Sequence, residues 1–242
     1  MFKKAGLMLM LLLGLSVTNY AQFDKMIKDK VQKTVAGVGL SSDDIGSGLK
    51  EALNVGIGKG ADLLAEKGGY LNSPYKILLP PEARGMADKL KMVPGFSNFE
   101  AQAVEKINAA AEDAAVKAKP IFVNAIKQMT ITDAMNILMG EKDAATVFLK
   151  KGTYDALYKE FSPIIVASLD KFSARQYWTD GVTAYNKVPL VKKANPSLDD
   201  YVTKEALNGL FSMIAKKELE IRTDKGARTS DLLKKVFAKQ DK

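Results

Sequence analysis

The stretch LDDYVTKEALNGLFSMIAKKELEIR, residues 198–222, sets Leu207, Leu210, Phe211, Ile214 and Ile221 at helical intervals. Apolar residues recurring this way line one stripe of a helix, because 3.6 residues complete a turn. Lys216, Lys217, Glu218 and Glu220 read as the outward, solvated face. Asp199 and Asp200 fall in the first turn, where negative charge complements the positive end of the helix dipole. Adjacent carboxylates also suit Ca²⁺ or Mg²⁺, but no D-x-D-x-D-G spacing surrounds them, so dipole pairing is the stronger reading. Beyond the stretch, Gly226 ends the connection, Ser230 caps, and Leu232, Leu233, Val236 and Phe237 make a short apolar helix.

The same signals recur toward the N-terminus. Ser41-Ser-Asp-Asp44 is an N-cap of the S-x-x-D kind, with Asp43 and Asp44 in a first turn, and Ile45, Leu49, Leu53, Ile57 and Leu64 follow at helical spacing to Gly68-Gly69. Gly46, Gly48, Gly56, Gly58 and Gly60 interrupt that helix. Each costs up to about 1 kcal/mol relative to Ala, so tertiary contact must hold it, and the glycines predict close helix approach. Gly58-Lys-Gly60-Ala lacks the preceding strand and the following hydroxyl of a phosphate loop.

Pro74, Pro80 and Pro81 bracket residues 70–81, which read as an extended connector with one short strand over 75–79. Helices follow: a short one over 82–92, then, after a Pro94-Gly95 turn and a capping box at 97–100, an Ala-rich one carrying Ala101, Val104, Ile107, Ala111, Ala114 and Ala118. Pro120 must break or kink it, and Thr130-Ile-Thr-Asp133 caps the next, through Ala134, Leu138 and Met139 to Gly140. Further helices are expected over 143–150, over 153–172 with Pro163 inside, and over 174–185, after which Pro189 and Pro196 flank a Lys-containing loop. No sustained strand alternation appears, nor a repeat with a period of about 20 to 50 residues. The fold class is all-α, a single multi-helix domain over 41–242 with an extended Pro-bracketed connector near residues 70–81.

The N-terminus has its own logic. Lys3 and Lys4 precede an eleven-residue apolar run, residues 5–15, and a polar, small-ended finish at 16–21. That is the three-part pattern of a secretory signal peptide over 1–21, cut after Ala21, although Asn19 is larger than the usual residue three before a cut. The apolar run is about half the roughly 20 residues of a spanning helix, so no transmembrane span is expected after removal of the signal. Residues 22–40 then alternate Lys25, Lys28, Lys30 and Lys33 with Phe23, Ile27, Val31 and Val35, a basic amphipathic helix ending at Gly37 and Gly39. Export to the periplasm is the expectation, with secretion or outer-membrane association as the alternative.

Composition narrows the chemistry. The 242 residues carry 36 Lys+Arg against 28 Asp+Glu, a net charge of +8 that falls to +6 without Lys3 and Lys4. Zero Cys and zero His exclude thiol nucleophiles, Ser-His-Asp triads and Cys/His zinc sites, and an exported domain without disulfides must be held by its own packing. No cofactor and no metal is called for.

The runs SGLKEAL (47–53), NSPYKILLPP (72–81), KPIFVNAIKQMTITDAMNIL (119–138), the opening stretch at 198–222 and SDLLKKVF (230–237) occur in that order. Together they resemble the exported bacterial domain-of-unknown-function family 4197, from about Leu40 to the end. The resemblance implies one exported, mainly helical domain and brings no catalytic residues with it.

Three function classes remain. The first is a non-enzymatic envelope scaffold acting by binding, to envelope proteins or to an anionic lipid or lipopolysaccharide surface. Residues 216–242 hold nine basic and five acidic side chains, and Arg222, Lys225, Arg228, Lys234 and Lys235 are the candidate anionic-surface contacts. Nucleic acid is disfavoured by export, mixed signs and the lack of aromatic-basic interleaving. The second class is a carrier holding an apolar ligand between helices, lined by Phe122, Ile126, Met129, Met135 and Met139, since Met-rich faces adapt to varied ligands. The third is a carboxylate-based hydrolase using pairs such as Glu218/Glu220 or Asp155/Glu160. Tyr75, Tyr154, Tyr158, Tyr177, Trp178 and Tyr185 are a possible aromatic pocket, but packing is the commoner use of such residues. The scaffold leads, because no carboxylate constellation stands out from the helix-capping background.

Overall fold

The computed structural model describes residues 41–194 and 197–238; the expected leader and the basic helix over 22–40 lie outside the described residues. Among these there is no strand and there are nine α-helices. They are α1 Ser42–Ala65, α2 Arg84–Leu90, α3 Phe99–Ala115, α4 Ala118–Gln128, α5 Ile131–Met139, α6 Ala144–Lys171, α7 Ala174–Asn186, α8 Asp199–Thr223 and α9 Asp231–Phe237. The all-α, single-domain reading holds.

α8 lies at the centre, against α6 on one side and α1 on another. Its stripe of Leu207, Leu210, Phe211 and Ile214 is buried. Phe211 meets the Phe122 ring edge-on at 5.5 Å and stacks against Tyr154 at 6.2 Å. α6 supplies the opposing stripe: Ala145, Leu149, Thr153, Leu157, Phe161, Ile165 and Leu169, every fourth residue, are all buried. One correction concerns α6, which runs unbroken through what the sequence divides into 143–150 and 153–172. Pro163 and Lys159 both face solvent, so the Lys159 carbonyl that loses its proline partner can bond to water.

Close approach is required at two of the glycines of α1. A Cβ on Gly48 would stand 2.7 Å from Val236 Cγ2 of α9, and one on Gly60 would stand 3.0 Å from Met213 Cγ of α8. Capping boxes form at Ser41/Asp44 and Thr130/Asp133 as their sequences indicate. The box expected over 97–100 does not form; Asn98 is the N-cap of α3 and makes no side-chain cap bond. α3 stops at Ala115 and α4 starts at Ala118, so Pro120 occupies a first turn, where its missing N–H leaves nothing unpaired.

The connector is the second correction. Residues 66–75 are successive turns, only 76–80 run free of regular structure, and no strand forms over 75–79. Buried side chains of α3 take the place of a sheet. Glu112 accepts from the backbone N–H groups of Gly68, Tyr70 and Leu71 at 3.0, 3.1 and 3.1 Å. Four residues earlier, Asn108 accepts from Ile77 N–H and donates to Ile77 C=O, both at 2.8 Å, pairing that residue as a neighbouring strand would. Tyr70 donates to Ala206 C=O of α8 at 2.7 Å. Burial, then the nearby Glu112 charge, push its hydroxyl far above the ordinary value and keep it a donor.

Phe211→Ala should cost about 3 to 5 kcal/mol, the range for an aromatic removed from a packed core, read as the shift in urea midpoint at constant slope. Asp113 ties α3 to α6 by accepting from Lys171 at 2.7 Å and Ser168 at 2.8 Å. The bond from Lys171, more than that from Ser168, holds its carboxyl below the ordinary value of 3.8. A depressed carboxyl stabilises the fold above its unfolded pKa, and that contribution is lost as pH falls through the folded value. Because the pair is part-exposed, Asp113→Asn should cost no more than about 1 kcal/mol near neutrality. The gap between variant and unaltered chain should close when denaturation is followed to below the folded value.

Candidate functional site

The C-terminal cations are placed differently from their surface reading. Arg222 and Glu218 are buried, each side chain 5% exposed, and paired at 2.8 Å one turn apart on α8. Glu218, expected outward, points into the core. It accepts from the backbone N–H groups of Ala145 and Thr146 at 2.9 Å each and from the Thr146 hydroxyl at 2.8 Å, so it caps the N-terminus of α6. Arg222 donates to the carbonyls of Ile137 at 2.8 Å and Leu138 at 3.3 Å, so it caps the C-terminus of α5. Each charge meets the helix end whose dipole it complements. Arg228 is buried too, donating to the carbonyls of Ile221 and Arg222 at 3.0 and 3.1 Å. Both guanidinium carbons lie within 6 Å of the Phe237 ring centroid, at 5.9 and 5.8 Å.

Arg222 and Arg228 are therefore internal fastenings, and as placed they present no cation to a surface. Lys225, Lys234 and Lys235 are exposed, but Lys234 is held by Asp231 at 3.1 Å and Lys235 lies close enough to Asp44 to lower its pKa slightly, behind the hydrogen bonds from Ser41.

The proposed apolar lining is packed rather than hollow. Phe122, Ile126, Met129 and Met135 belong to the continuous core, and Met139 is 62% exposed. A cavity of about 20 Å³ lies beside the Glu218–Arg222 pair, near Leu53, Ile57 and Phe237, with room for about one water. None of the five residues lines it, nor the open groove of about 380 Å³ between α5 and α6.

The aromatic set divides. Trp178 is buried with Phe99, their centroids 5.9 Å apart, and Tyr177 stacks on Phe99 at 5.4 Å, while Tyr154 covers Phe211. Tyr158 donates to Asp200 at 2.6 Å and lowers its pKa, helped by Lys204. Among the described residues the carboxyls whose pKa is displaced, Asp44, Asp88, Asp113 and Asp200, all move downward under hydrogen-bond donors. That direction is opposite to the one a glycosidase acid needs.

One loop stands apart from this packing. Residues 187–193 leave the end of α7 and are closed at the neck by Asn186, which donates to Ala194 C=O at 3.2 Å and accepts from Ala194 N–H at 3.0 Å. At its tip Leu190 is fully exposed, with a backbone φ of +61°. Lys187, Lys192 and Lys193 around it are exposed, and no ion pair engages them among the described residues. Sequence reading marks the two prolines and the lysines here. It gives no sign that a leucine would occupy a conformation suited to glycine or asparagine.

A family model described as "Protein of unknown function (DUF4197)" matches residues 39–238. The chain belongs to the DUF4197 family. No curated protein and no solved structure matches it, so the function of this DUF4197 chain is read from its own geometry.

The buried pair makes a specific expectation. Arg222→Met alone strands the Glu218 charge and should cost about 3 to 5 kcal/mol, whereas Glu218→Leu combined with Arg222→Met should recover most of that loss. Chemical denaturation of the three chains checks it: a double variant as unstable as the single one would mean that the helix-capping bonds, not the charge balance, set the cost.

Proposed function

We propose that this DUF4197 protein is an exported, non-enzymatic envelope protein that docks reversibly on anionic phospholipid through loop 187–193. The observation that carries this reading is Leu190, where two costs coincide without an intramolecular return. A non-glycine residue in the left-handed region costs about 1 to 3 kcal/mol, and the leucine leaves its whole side chain in water. The Asn186 clasp fixes the neck, so the tip is presented rather than folded back.

The chemistry of the tip matches a lipid headgroup layer. Transferring one leucine from water yields about 1.5 to 3 kcal/mol, and each lysine near an anionic surface adds about 1 kcal/mol. One leucine and three lysines thus supply about 5 kcal/mol, an apparent dissociation constant in the submillimolar range. That is the strength of a peripheral, reversible contact, which further contacts or a second copy would raise. Export of the chain is supported by the three-part pattern of residues 1–21.

Co-sedimentation with vesicles tests the reading. The protein is expected to bind phosphatidylglycerol-containing vesicles and not pure phosphatidylcholine, and binding should weaken steeply as salt shortens screening to about 8 Å. Leu190→Ser should lower partitioning about tenfold, and Lys192→Glu with Lys193→Glu should abolish it. Equal binding to neutral vesicles, or indifference to Leu190→Ser, would contradict lipid docking by this loop.

A further inference from the structure

The groove between α5 and α6, about 380 Å³ and open to solvent, has no role in the lipid reading. Ile137, Ala144, Val147 and Phe148 form its floor, and Asp133, Glu141 and Asp143 stand on its rim. Val147 is 56% exposed, an apolar side chain left in water near the start of α6. Asp133 is engaged by Thr130, but Asp143 sits at the N-cap of α6 without making a cap bond, and neither its carboxylate nor that of Glu141 has an ion pair among the described residues. An apolar floor under three carboxylates calls for an amphipathic, basic occupant.

We infer that this occupant is the chain's own segment 22–40, held in cis. Phe23, Ile27, Val31 and Val35 repeat every fourth residue, the spacing that would put them on one face of a helix, and Lys25, Lys28, Lys30 and Lys33 supply the complementary charge. The segment also arrives at the right place. Ser41 opens α1, and one turn further on Gly46 packs at the head of α5, where an added Cβ would stand 3.7 Å from Ile131 Cγ1 and 4.0 Å from Ala134 Cβ. By helical spacing, Asp133 and Asn136 lie on the side of α5 turned away from that contact. Residues 37–40, two of them glycines, reach about 13 Å when extended, enough to pass round the end of a helix about 10 Å across. The groove is short, so one or two apolar side chains of the segment seat in it while the lysines meet Glu141 and Asp143. This inference is independent of the lipid reading, since it uses neither loop 187–193 nor its lysines.

Disulfide trapping in the full-length gene product, purified from the cells that make it, decides the matter cleanly because the chain has no native Cys. Val31→Cys with Val147→Cys should oxidise to an intramolecular bond at a rate independent of protein concentration, at least tenfold faster than Val31→Cys with Lys192→Cys. Val147 is exposed, so its replacement leaves the core intact. Adding Glu141→Lys and Asp143→Lys should slow trapping about tenfold, and high salt should act in the same direction. Equal rates for the two pairs, indifference to the charge reversals, or disulfide-linked dimers as the main product would each overturn the inference, the last by assigning the groove to a second copy.

Discussion

A glutamate and an arginine one turn apart on α8 fasten the ends of two other helices inside the core. Glu218 receives the first N–H groups of α6, and Arg222 receives the last carbonyls of α5. Residues 140–143 between those helices are therefore pinned from below, in addition to their own turn bonds from Gly140 N–H to Ile137 C=O and from Ala144 N–H to Glu141 C=O. Burying two charges is unfavourable unless every lone pair and proton finds a partner, and here the backbone ends of helices that would otherwise go unpaired supply them. Arg228 repeats the device on the C-terminus of α8 itself, and Phe237 of α9 covers both guanidinium groups.

The same logic explains a domain that has no sheet among its described residues and no cysteine for a disulfide, yet holds its connector in place. Asn108 and Glu112, one turn apart on α3, satisfy the backbone of Ile77 and of residues 68–71 as strand partners would. Asn186 closes the neck of loop 187–193 with a two-way amide pair of the same kind. Inside the domain these buried polar groups are spent on the chain's own backbone, which leaves binding to the surface. Two surface features then carry the binding readings, an exposed leucine among lysines and an exposed valine beside carboxylates.

Much of this architecture is legible in the sequence, and what is not has identifiable causes. Helix stripes and the boxes at Ser41 and Thr130 depend on neighbours three and four residues away, so sequence suffices for them. Glu218 is misread because it stands in a run of charges, Lys216, Lys217, Glu218 and Glu220, that looks like a solvated helix face. The clue is its position: 207, 211, 214, 218 and 221 form one stripe, so a charge at 218 sits among buried residues. Asn108 is overlooked for a similar reason, a polar residue within the Ala-rich stripe whose partner lies 31 positions away. The continuity of α6 through Pro163 depends on which side faces solvent. The positive φ of Leu190 runs against the preference of a leucine, so no local residue signal announces it.

Hydrogen exchange of the protein alone and with phosphatidylglycerol vesicles tests the division between a self-fastened interior and a binding surface. Without vesicles, the amides of Ala145, Thr146, Tyr70 and Leu71 should exchange only through global unfolding, although none of them has a partner within a regular helix ladder. With vesicles, protection should be gained at 187–194 and nowhere in α8 or α9. Fast exchange at Ala145 and Thr146, or lipid-induced protection centred on residues 222–235 instead of the loop, would contradict it.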